Sequence, residues 1–169
     1  MTDSIDSAPS RSMLVQILAL LAAVVLCLAI GIVGALFTTP QIPTWYAGIH
    51  KPSWTPPSWI FGPVWTTLYV LMGISAWLVW RQRPWSAAWP ALLLFGIQLT
   101  LNAIWSPLFF GLESPLLGLI DIVLLWLMLG VTIYGFAQQS LAGACLLAPY
   151  LLWVSYAACL NFAIWRLNG

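Results

Sequence analysis

The sequence has very little charge. Only 5% of its 169 residues are Asp, Glu, Lys or Arg, whereas a soluble domain carries about a quarter. The formal net charge is +1, and the chain lacks the clustered Lys and Arg with which proteins hold a nucleic-acid backbone. The composition therefore argues against a soluble globular domain and against a nucleic-acid-binding protein.

Cysteine and histidine are also scarce. Cys27, Cys145 and Cys159 lie in apolar runs without paired spacing or a CxxC motif, which is typical of small buried hydrophobic residues. The only histidine is His50, in a predicted loop. Neither a Ser/His/Asp set nor a His/Cys cluster can be assembled from these residues. We therefore predict no metal site, no obligatory cofactor and no conventional hydrolytic catalysis.

Hydrophobic residues make up 62% of the chain, and they fall into long runs. The first run has about 25 residues, which is longer than the 7–15 of a signal peptide and enough to cross a hydrocarbon core of about 30 Å. The sequence predicts an all-α integral membrane bundle of five transmembrane helices in one domain, residues 13–169, after a disordered polar tail, residues 1–12. The predicted spans are 13–37, 57–80, 85–109, 116–137 and 141–165.

A loop rich in tryptophan and proline, residues 38–56, separates the first two spans; we call it the lid loop. From Trp45 to Tyr69 the chain holds four tryptophans, two tyrosines and four prolines. Each proline restricts its own backbone and that of the residue before it, so the loop loses less entropy when it orders. Indole and phenol rings suit the boundary of a membrane or an apolar pocket. We interpret the loop as a lid over such a pocket.

The arginines suggest an orientation in the membrane. With five spans, Arg11, Arg81 and Arg83 share the N-terminal face of the bundle, and Lys51 and Arg166 share the opposite face. This distribution favours a cytoplasmic N-terminus. The sequence leaves open which membrane of a cell envelope holds the protein.

Polar side chains inside the spans are the main functional signal, because they are costly in lipid. Several recur at helical spacing in the half of the bundle nearer the lid loop, where they predict a cavity below it. The candidates are Trp65 and Tyr69 on the second span, Gln98, Asn102 and Trp105 on the third, Asp121 on the fourth, Tyr150, Trp153, Ala157 and Asn161 on the fifth, and Trp45 in the lid loop.

Some of these residues have a plainer interpretation. Gln98, Asn102 and Asn161 could serve only as interhelical hydrogen-bonding groups, each contributing about 0.6 kcal/mol. An intramembrane carboxylate such as Asp121 usually has a partner or a role. It is either neutral or hydrogen-bonded to an indole N–H.

Three segments together resemble the tryptophan-rich sensory proteins of the TspO/MBR family, relatives of the translocator protein or peripheral-type benzodiazepine receptor. They occur in the family's order over residues 45–168. The segments are Trp45-Tyr46 with Lys51-Pro52-Ser53-Trp54-Thr55-Pro56-Pro57, Pro63-Val64-Trp65 and Leu68-Tyr69; Gln98-Leu99 with Asn102, Trp105-Ser106-Pro107 and Phe109-Phe110; and Pro149-Tyr150 with Trp153, Leu160-Asn161 and Arg166-Leu167-Asn168.

The resemblance implies a five-helix homodimer with a pocket beneath the first loop. Ligands of the family include protoporphyrin IX, haem, sterols and isoquinoline carboxamides. Its two porphyrin-contacting indoles match Trp54 and Trp153, and a small residue that influences ligand binding matches Ala157. The family's cholesterol-recognition pattern has a tyrosine where this chain has Phe162, which puts sterol binding in doubt.

The leading hypothesis is a membrane receptor or sensor that binds a tetrapyrrole in an aromatic cavity, with transport or buffering of the ligand as an optional further role. Lys51 and Arg166 are candidate partners for its propionates. The alternative is an enzyme that degrades porphyrin with light and oxygen, in which Trp54 and Trp153 take part in the redox chemistry. A further alternative is a structural subunit of a helical bundle.

Overall fold

The computed structural model describes residues 11–169, and the regular secondary structure in this part of the chain is all helical. Five of its helical segments are long and apolar enough to cross a membrane, which confirms the predicted fold class. The helices are α1 Met13–Gln41, α2 Trp45–Gly48, α3 Phe61–Gln82, α4 Trp85–Ser106, α5 Pro115–Ala137, α6 Leu141–Leu146 and α7 Ala148–Asn168.

The helix ends differ from the predicted spans by a few residues. α1 continues through Pro40 to Gln41, and α3 begins only after a 3₁₀ turn over Ser58–Ile60. The lid loop therefore covers residues 42–57. α4 runs into a π-helical turn over Pro107–Gly111, and the fifth span is interrupted at Leu147 between α6 and α7.

The predicted polar tail falls mostly on residues 1–10, which lie outside the described part of the chain. Its last two residues belong to the helical bundle instead. The Ser12 hydroxyl accepts a hydrogen bond from the Val15 backbone N–H and so caps α1. Arg11 contacts the end of α3, where its guanidinium lies 3.7 Å from the centre of the Trp80 ring.

Close packing of α1 against α3 depends on glycine. A Cβ atom at Gly73 would lie 2.6 Å from the Cα of Val24, so only glycine allows the two backbones to approach so closely. Seven residues further along α1, toward the lid loop, the Tyr69 ring lies against Gly31. There a side chain of α3, and not its backbone, contacts α1.

Several interhelical hydrogen bonds also hold the helices of the bundle together. The Ser75 hydroxyl donates to the Gly143 carbonyl at 2.6 Å, and so joins α3 to α6. The Trp77 indole N–H donates to the Gln16 carbonyl at 3.0 Å. The Trp126 indole N–H donates to the Ser155 hydroxyl at 2.8 Å, between α5 and α7. In an apolar interior each of these groups would be costly if it had no partner.

The lid loop is fastened to the π-helical turn after α4 and to the lid-side end of α7. The ring of Trp45, on α2, meets the Phe109 and Phe110 rings edge to face, at centroid distances of 5.5 and 6.2 Å. Further along, His50 exchanges two hydrogen bonds of 2.9 Å with the Asn168 side chain. These contacts hold the loop along the C-terminal part of α7.

We expect Gly73→Ala to lower the thermal stability of the purified protein, because its methyl group would meet the α1 backbone. Overpacking of this kind costs about 1–3 kcal/mol. Gly96→Ala is the matched control, since a Cβ at Gly96 meets nothing within 4 Å and alanine favours a helix by up to about 1 kcal/mol. Thermal unfolding of both variants in one detergent tests this. Equal melting temperatures would contradict the close α1–α3 contact.

Candidate ligand-binding cavity

A cavity of about 590 Å³ lies in the half of the bundle nearer the lid loop. This volume is within the range of about 300–1,000 Å³ that small-molecule sites have. Its wall is formed by residues of α1, α3, α4, α5 and α7, and Tyr46 of the lid loop lies at the end nearest that loop. The cavity lies below the lid loop, on the side where the sequence predicts it.

Aromatic rings form much of the cavity wall. Trp65 stacks on Tyr69 at a centroid distance of 5.6 Å, and Trp105 stacks on Phe109 at 5.0 Å. Trp153 meets the Phe61 ring at 5.8 Å on another side. Because rings brace one another in this way, the wall presents fixed apolar faces to the interior.

A buried hydrogen-bonded chain lies at the inner end of the cavity. The Tyr69 hydroxyl donates to Asn102 Oδ1 at 2.6 Å, and Asn102 Nδ2 donates to the Tyr150 hydroxyl at 2.9 Å. The chain joins α3, α4 and α7, and all three side chains are buried. Asn102 is thus both a cavity-lining residue and an interhelical connection.

Asn161 likewise lines the cavity and connects neighbouring helices. Its Oδ1 accepts a hydrogen bond of 3.3 Å from the Trp105 indole, and its Nδ2 donates to the Pro115 carbonyl at 2.7 Å. The Thr38 and Ser106 hydroxyls lie 3.3 Å apart on another side of the cavity. The amides of Asn102 and Asn161 and the hydroxyls of Thr38 and Ser106 therefore have partners within the protein.

The structure brings together a majority of the residues predicted for the site. Those that line the cavity are Trp65, Tyr69, Asn102, Trp105, Trp153, Ala157 and Asn161. The other candidates lie elsewhere. Trp45 packs on Phe109 and Phe110 outside the lining, and Tyr150 lies behind Trp65, at a ring distance of 6.1 Å.

Trp54 does not line the cavity. Its ring is 47% exposed and packs against Tyr156 at a centroid distance of 5.7 Å, while the Tyr156 hydroxyl donates to the Trp54 carbonyl at 3.0 Å. Trp153 lies on the other side of Tyr156, also at 5.7 Å. In this structure one ring therefore separates Trp54 from the cavity wall, and its contact with a ligand stays a prediction.

Gln98 and Asp121 are buried without the partners that the sequence suggests. Both amide atoms of Gln98 and Oδ2 of Asp121 have no hydrogen-bonding partner within residues 11–169. The indole N–H groups of Trp105 and Trp126 bond to Asn161 and Ser155 instead. A hydrogen bond between an indole and this Asp121 oxygen is thus not formed.

The two cations proposed as propionate partners also lie outside the cavity lining. The Lys51 ammonium donates to the Tyr46 carbonyl and, at 3.0 Å, to the Ile49 carbonyl. It lies 4.7 Å from the centre of the Tyr46 ring. Arg166 is exposed on the last turn of α7. Lys51 therefore stabilises the lid loop through hydrogen bonds to carbonyl groups within the loop. Its role toward a ligand stays a prediction.

Sequence reasoning missed the contribution of α1. Leu28, Gly31, Ala35 and Thr38 line the cavity, but α1 has no polar stripe that would distinguish this face from its lipid-facing side. The glycine spacing at 31 and 34 is the one available signal. It indicates close approach by a neighbouring helix, and the structure places the Tyr69 ring against Gly31 and the Ser106 hydroxyl against Gly34.

Tyr46 was not among the predicted site residues either. It lines the end of the cavity below the lid loop. Burial raises the pKa of its phenol, and the neighbouring Tyr156 raises this pKa further. Tyr46 therefore keeps its proton at neutral pH and is available as a hydrogen-bond donor.

The cavity opens sideways between α1 and α3. All the exposed residues of its lining belong to the lid-side half of α1, to the 3₁₀ turn before α3 or to the start of α3. On α1 the neighbouring Val33 and Leu36 are exposed apolar residues, as expected of a lipid-facing surface. The exposed lining residues are Ile32, Ala35, Thr39, Ser58, Trp59, Gly62 and Thr66.

A model of the TspO/MBR family matches residues 23–166. The chain belongs to this family. The matched region contains every residue that lines the cavity. Together with the five apolar helices, membership in the TspO/MBR family makes the chain an integral membrane protein.

Relatives in the TspO/MBR family come from distant organisms. The chain is 46% identical to the tryptophan-rich protein TspO of Chlorobaculum tepidum, over 90% of this chain and 98% of the relative. It is also 46% identical to the protein of that name in Archaeoglobus fulgidus, over 91% and 99%. Identity to the human translocator protein is 41%, over 80% and 82%. These relationships support a role as a membrane receptor or sensor.

Buried polar groups with and without hydrogen-bonding partners should respond in opposite ways to substitution by leucine. Asn102→Leu should destabilise the protein by about 1–3 kcal/mol for each hydroxyl left without its partner, at Tyr69 and Tyr150. Asp121→Leu should be neutral or stabilising, because it removes a buried oxygen that has no partner. Thermal unfolding in detergent, without added ligand, measures both. A strong loss of stability in the Asp121 variant would mean that this carboxyl group is satisfied in the membrane.

Proposed function

We propose that this protein is a membrane receptor or sensor that binds a tetrapyrrole, such as protoporphyrin IX or haem, in the cavity below the lid loop. The observation that carries the proposal is the cavity itself, with a volume of about 590 Å³ and stacked aromatic rings on several sides. A flat macrocycle gains most from rigid ring faces of this kind. The family relationship supports the receptor role, the tetrapyrrole is the ligand that the sequence resemblance implies, and the aromatic cavity supports this choice.

The lining favours a ligand with an apolar body and a polar edge. No acidic or basic side chain is among the described lining residues, so an ionised group deep in the cavity would be desolvated without a countercharge. A tetrapyrrole would therefore place its propionates toward the lid-loop end. There the phenol of Tyr46 supplies a donor, and Ser58 adds a hydroxyl at the opening.

The lateral opening supports uptake from the bilayer. Exposed lining residues frame a cleft between Ala35 on α1 and Gly62 on α3. The lid loop above the cavity is held by the His50–Asn168 pair and by the hydrogen bond from Tyr156 to Trp54. A hydrophobic ligand dissolved in the membrane would thus reach the cavity without displacing the lid loop.

The enzymatic alternative rests on a different observation. The Trp153, Tyr156 and Trp54 rings form a series from the cavity wall to the surface, with both centroid distances 5.7 Å. However, no histidine, carboxylate or cysteine is among the described lining residues, which argues against steered proton transfer during ring opening. Product analysis under illumination, per molecule of protein, would separate a catalyst from a binding protein. We therefore place binding first.

We expect Ala157→Phe to weaken protoporphyrin IX binding at least about tenfold, which corresponds to about 1.4 kcal/mol. The added ring would occupy cavity volume beside Trp153. Binding is measured by saturable quenching of tryptophan fluorescence in detergent or vesicles. Ala142→Phe is the matched control, since Ala142 is an exposed residue of the same span, outside the lining. Unchanged affinity in the Ala157 variant would place the ligand elsewhere.

The access route can be tested by joining helices. After replacement of the three native cysteines by alanine, Ala35→Cys with Gly62→Cys would be bridged by a bifunctional methanethiosulfonate reagent. We expect the bridge to slow porphyrin association from vesicles at least about tenfold, since it closes the cleft, and reduction to restore the rate.

His50→Cys with Asn168→Cys, bridged in the same way, is the control that fastens the lid loop. It should leave the association rate unchanged. If only this second bridge slows association, the ligand passes the lid loop and lateral access is wrong. If the unbridged protein binds no porphyrin, the proposed ligand is itself wrong.

A further inference from the structure

Three arginines lie at the end of the bundle opposite the lid loop. Arg11 precedes α1, Arg81 lies in the last turn of α3, and Arg83 follows α3. Within residues 11–169 the only carboxylate side chains are Glu113, next to the lid-side end of α5, and Asp121, buried in the bundle. Over the described residues, this end of the protein therefore carries positive charge without a carboxylate partner.

Tryptophan rings and backbone carbonyls hold these arginines in place. The Arg11 guanidinium lies 3.7 Å from the Trp80 ring centre, and the Arg81 guanidinium lies 4.5 Å from that of Trp77. Arg83 Nε donates to the Gln139 carbonyl at 3.3 Å, across to the turn between α5 and α6. Such stacking orients a guanidinium and leaves its edge available for hydrogen bonds.

The three guanidinium groups have N–H donors that form no hydrogen bond to another described residue. A guanidinium has five N–H donors. Arg11 directs two of its nitrogens to the Trp80 and Arg83 carbonyls, and so caps the end of α3. The Arg83 side chain forms its single hydrogen bond to another described residue through Nε, and the Arg81 side chain forms none. Both Arg81 and Arg83 are exposed, so their Nη groups are accessible.

The depth of these arginines in the membrane follows from their neighbours. Trp85 and Trp89, on the first turns of α4, are 62% and 47% exposed. Exposed tryptophans at a span end typically lie at the level of the lipid headgroups. The arginine edges are therefore at the depth of lipid phosphates, which accept bidentate hydrogen bonds from guanidinium groups.

We propose that Arg81 and Arg83, with Arg11 behind them, form a binding site for the headgroup of an anionic phospholipid. The phosphodiester supplies the negative charge that the described part of this face lacks. Zwitterionic lipids would bind less well, because their own ammonium group competes with the arginines. The site is separate from the cavity, which lies at the other end of the bundle.

The test measures lipid preference in the whole protein. Purified protein in mixed micelles is titrated with phosphatidylglycerol or phosphatidylcholine, and bound lipid is counted by native mass spectrometry. Wild-type protein should prefer phosphatidylglycerol, and added salt should reduce this preference. Arg81→Gln should weaken the phosphatidylglycerol affinity about fivefold, and Arg81→Gln with Arg83→Gln about 25-fold. Arg11 is left unchanged because it caps α3.

Arg166→Gln is the matched control, since it removes one exposed arginine from the opposite face. It should leave the preference for phosphatidylglycerol unchanged. An equal loss from Arg166→Gln would show unspecific attraction by net charge, and a full preference in the double variant would place the lipid elsewhere. Either result overturns the proposal. A melting temperature of the double variant equal to wild type in lipid-free detergent would confirm that the loss is not one of folding.

Discussion

Gly73 lets α3 lie against the backbone of α1, and the cavity depends on this contact. A side chain at this position would meet Val24 at 2.6 Å, so the two backbones are in contact there. Nearer the lid loop the Tyr69 ring lies against Gly31, and residues of both helices beyond it line the cavity. Close packing near the middle of the two helices thus limits the depth of the cavity, whose exposed lining residues lie nearer the lid loop.

The buried polar groups explain why this space has fixed walls. Asn102 satisfies the hydroxyls of Tyr69 and Tyr150, and Asn161 joins Trp105 to the start of α5. In a membrane the hydrophobic effect does not hold helices to one another, so packing and such hydrogen bonds do. Because these amides already have partners, the wall offers a ligand shape and ring faces more than charge.

The five helices and the lid loop were predictable, because hydrocarbon thickness fixes span length and proline stiffens the loop. The polar and aromatic residues that recur at helical spacing also predicted correctly that Trp65, Asn102 and Trp153 line one cavity. The share of α1 in the wall was not predictable, since a helix that is apolar all round gives no sign of which face meets protein. Nor does spacing show that Asn102 has partners whereas Gln98 lacks them, because this depends on the rotation of neighbouring helices.

Two tryptophans near the lid loop have different positions relative to the cavity. Trp153 presents its ring to the cavity, whereas Trp54 packs on Tyr156 outside it. The Tyr156 hydroxyl holds the Trp54 carbonyl at 3.0 Å, and Tyr156 also contacts the Trp153 ring. Loss of the Trp54 ring would remove its contact with the Tyr156 ring, whereas the hydrogen bond to the backbone carbonyl of residue 54 would remain. In this structure, an effect of a Trp54 substitution on the proposed ligand binding would therefore act through Tyr156 and Trp153 and not through direct contact with the ligand.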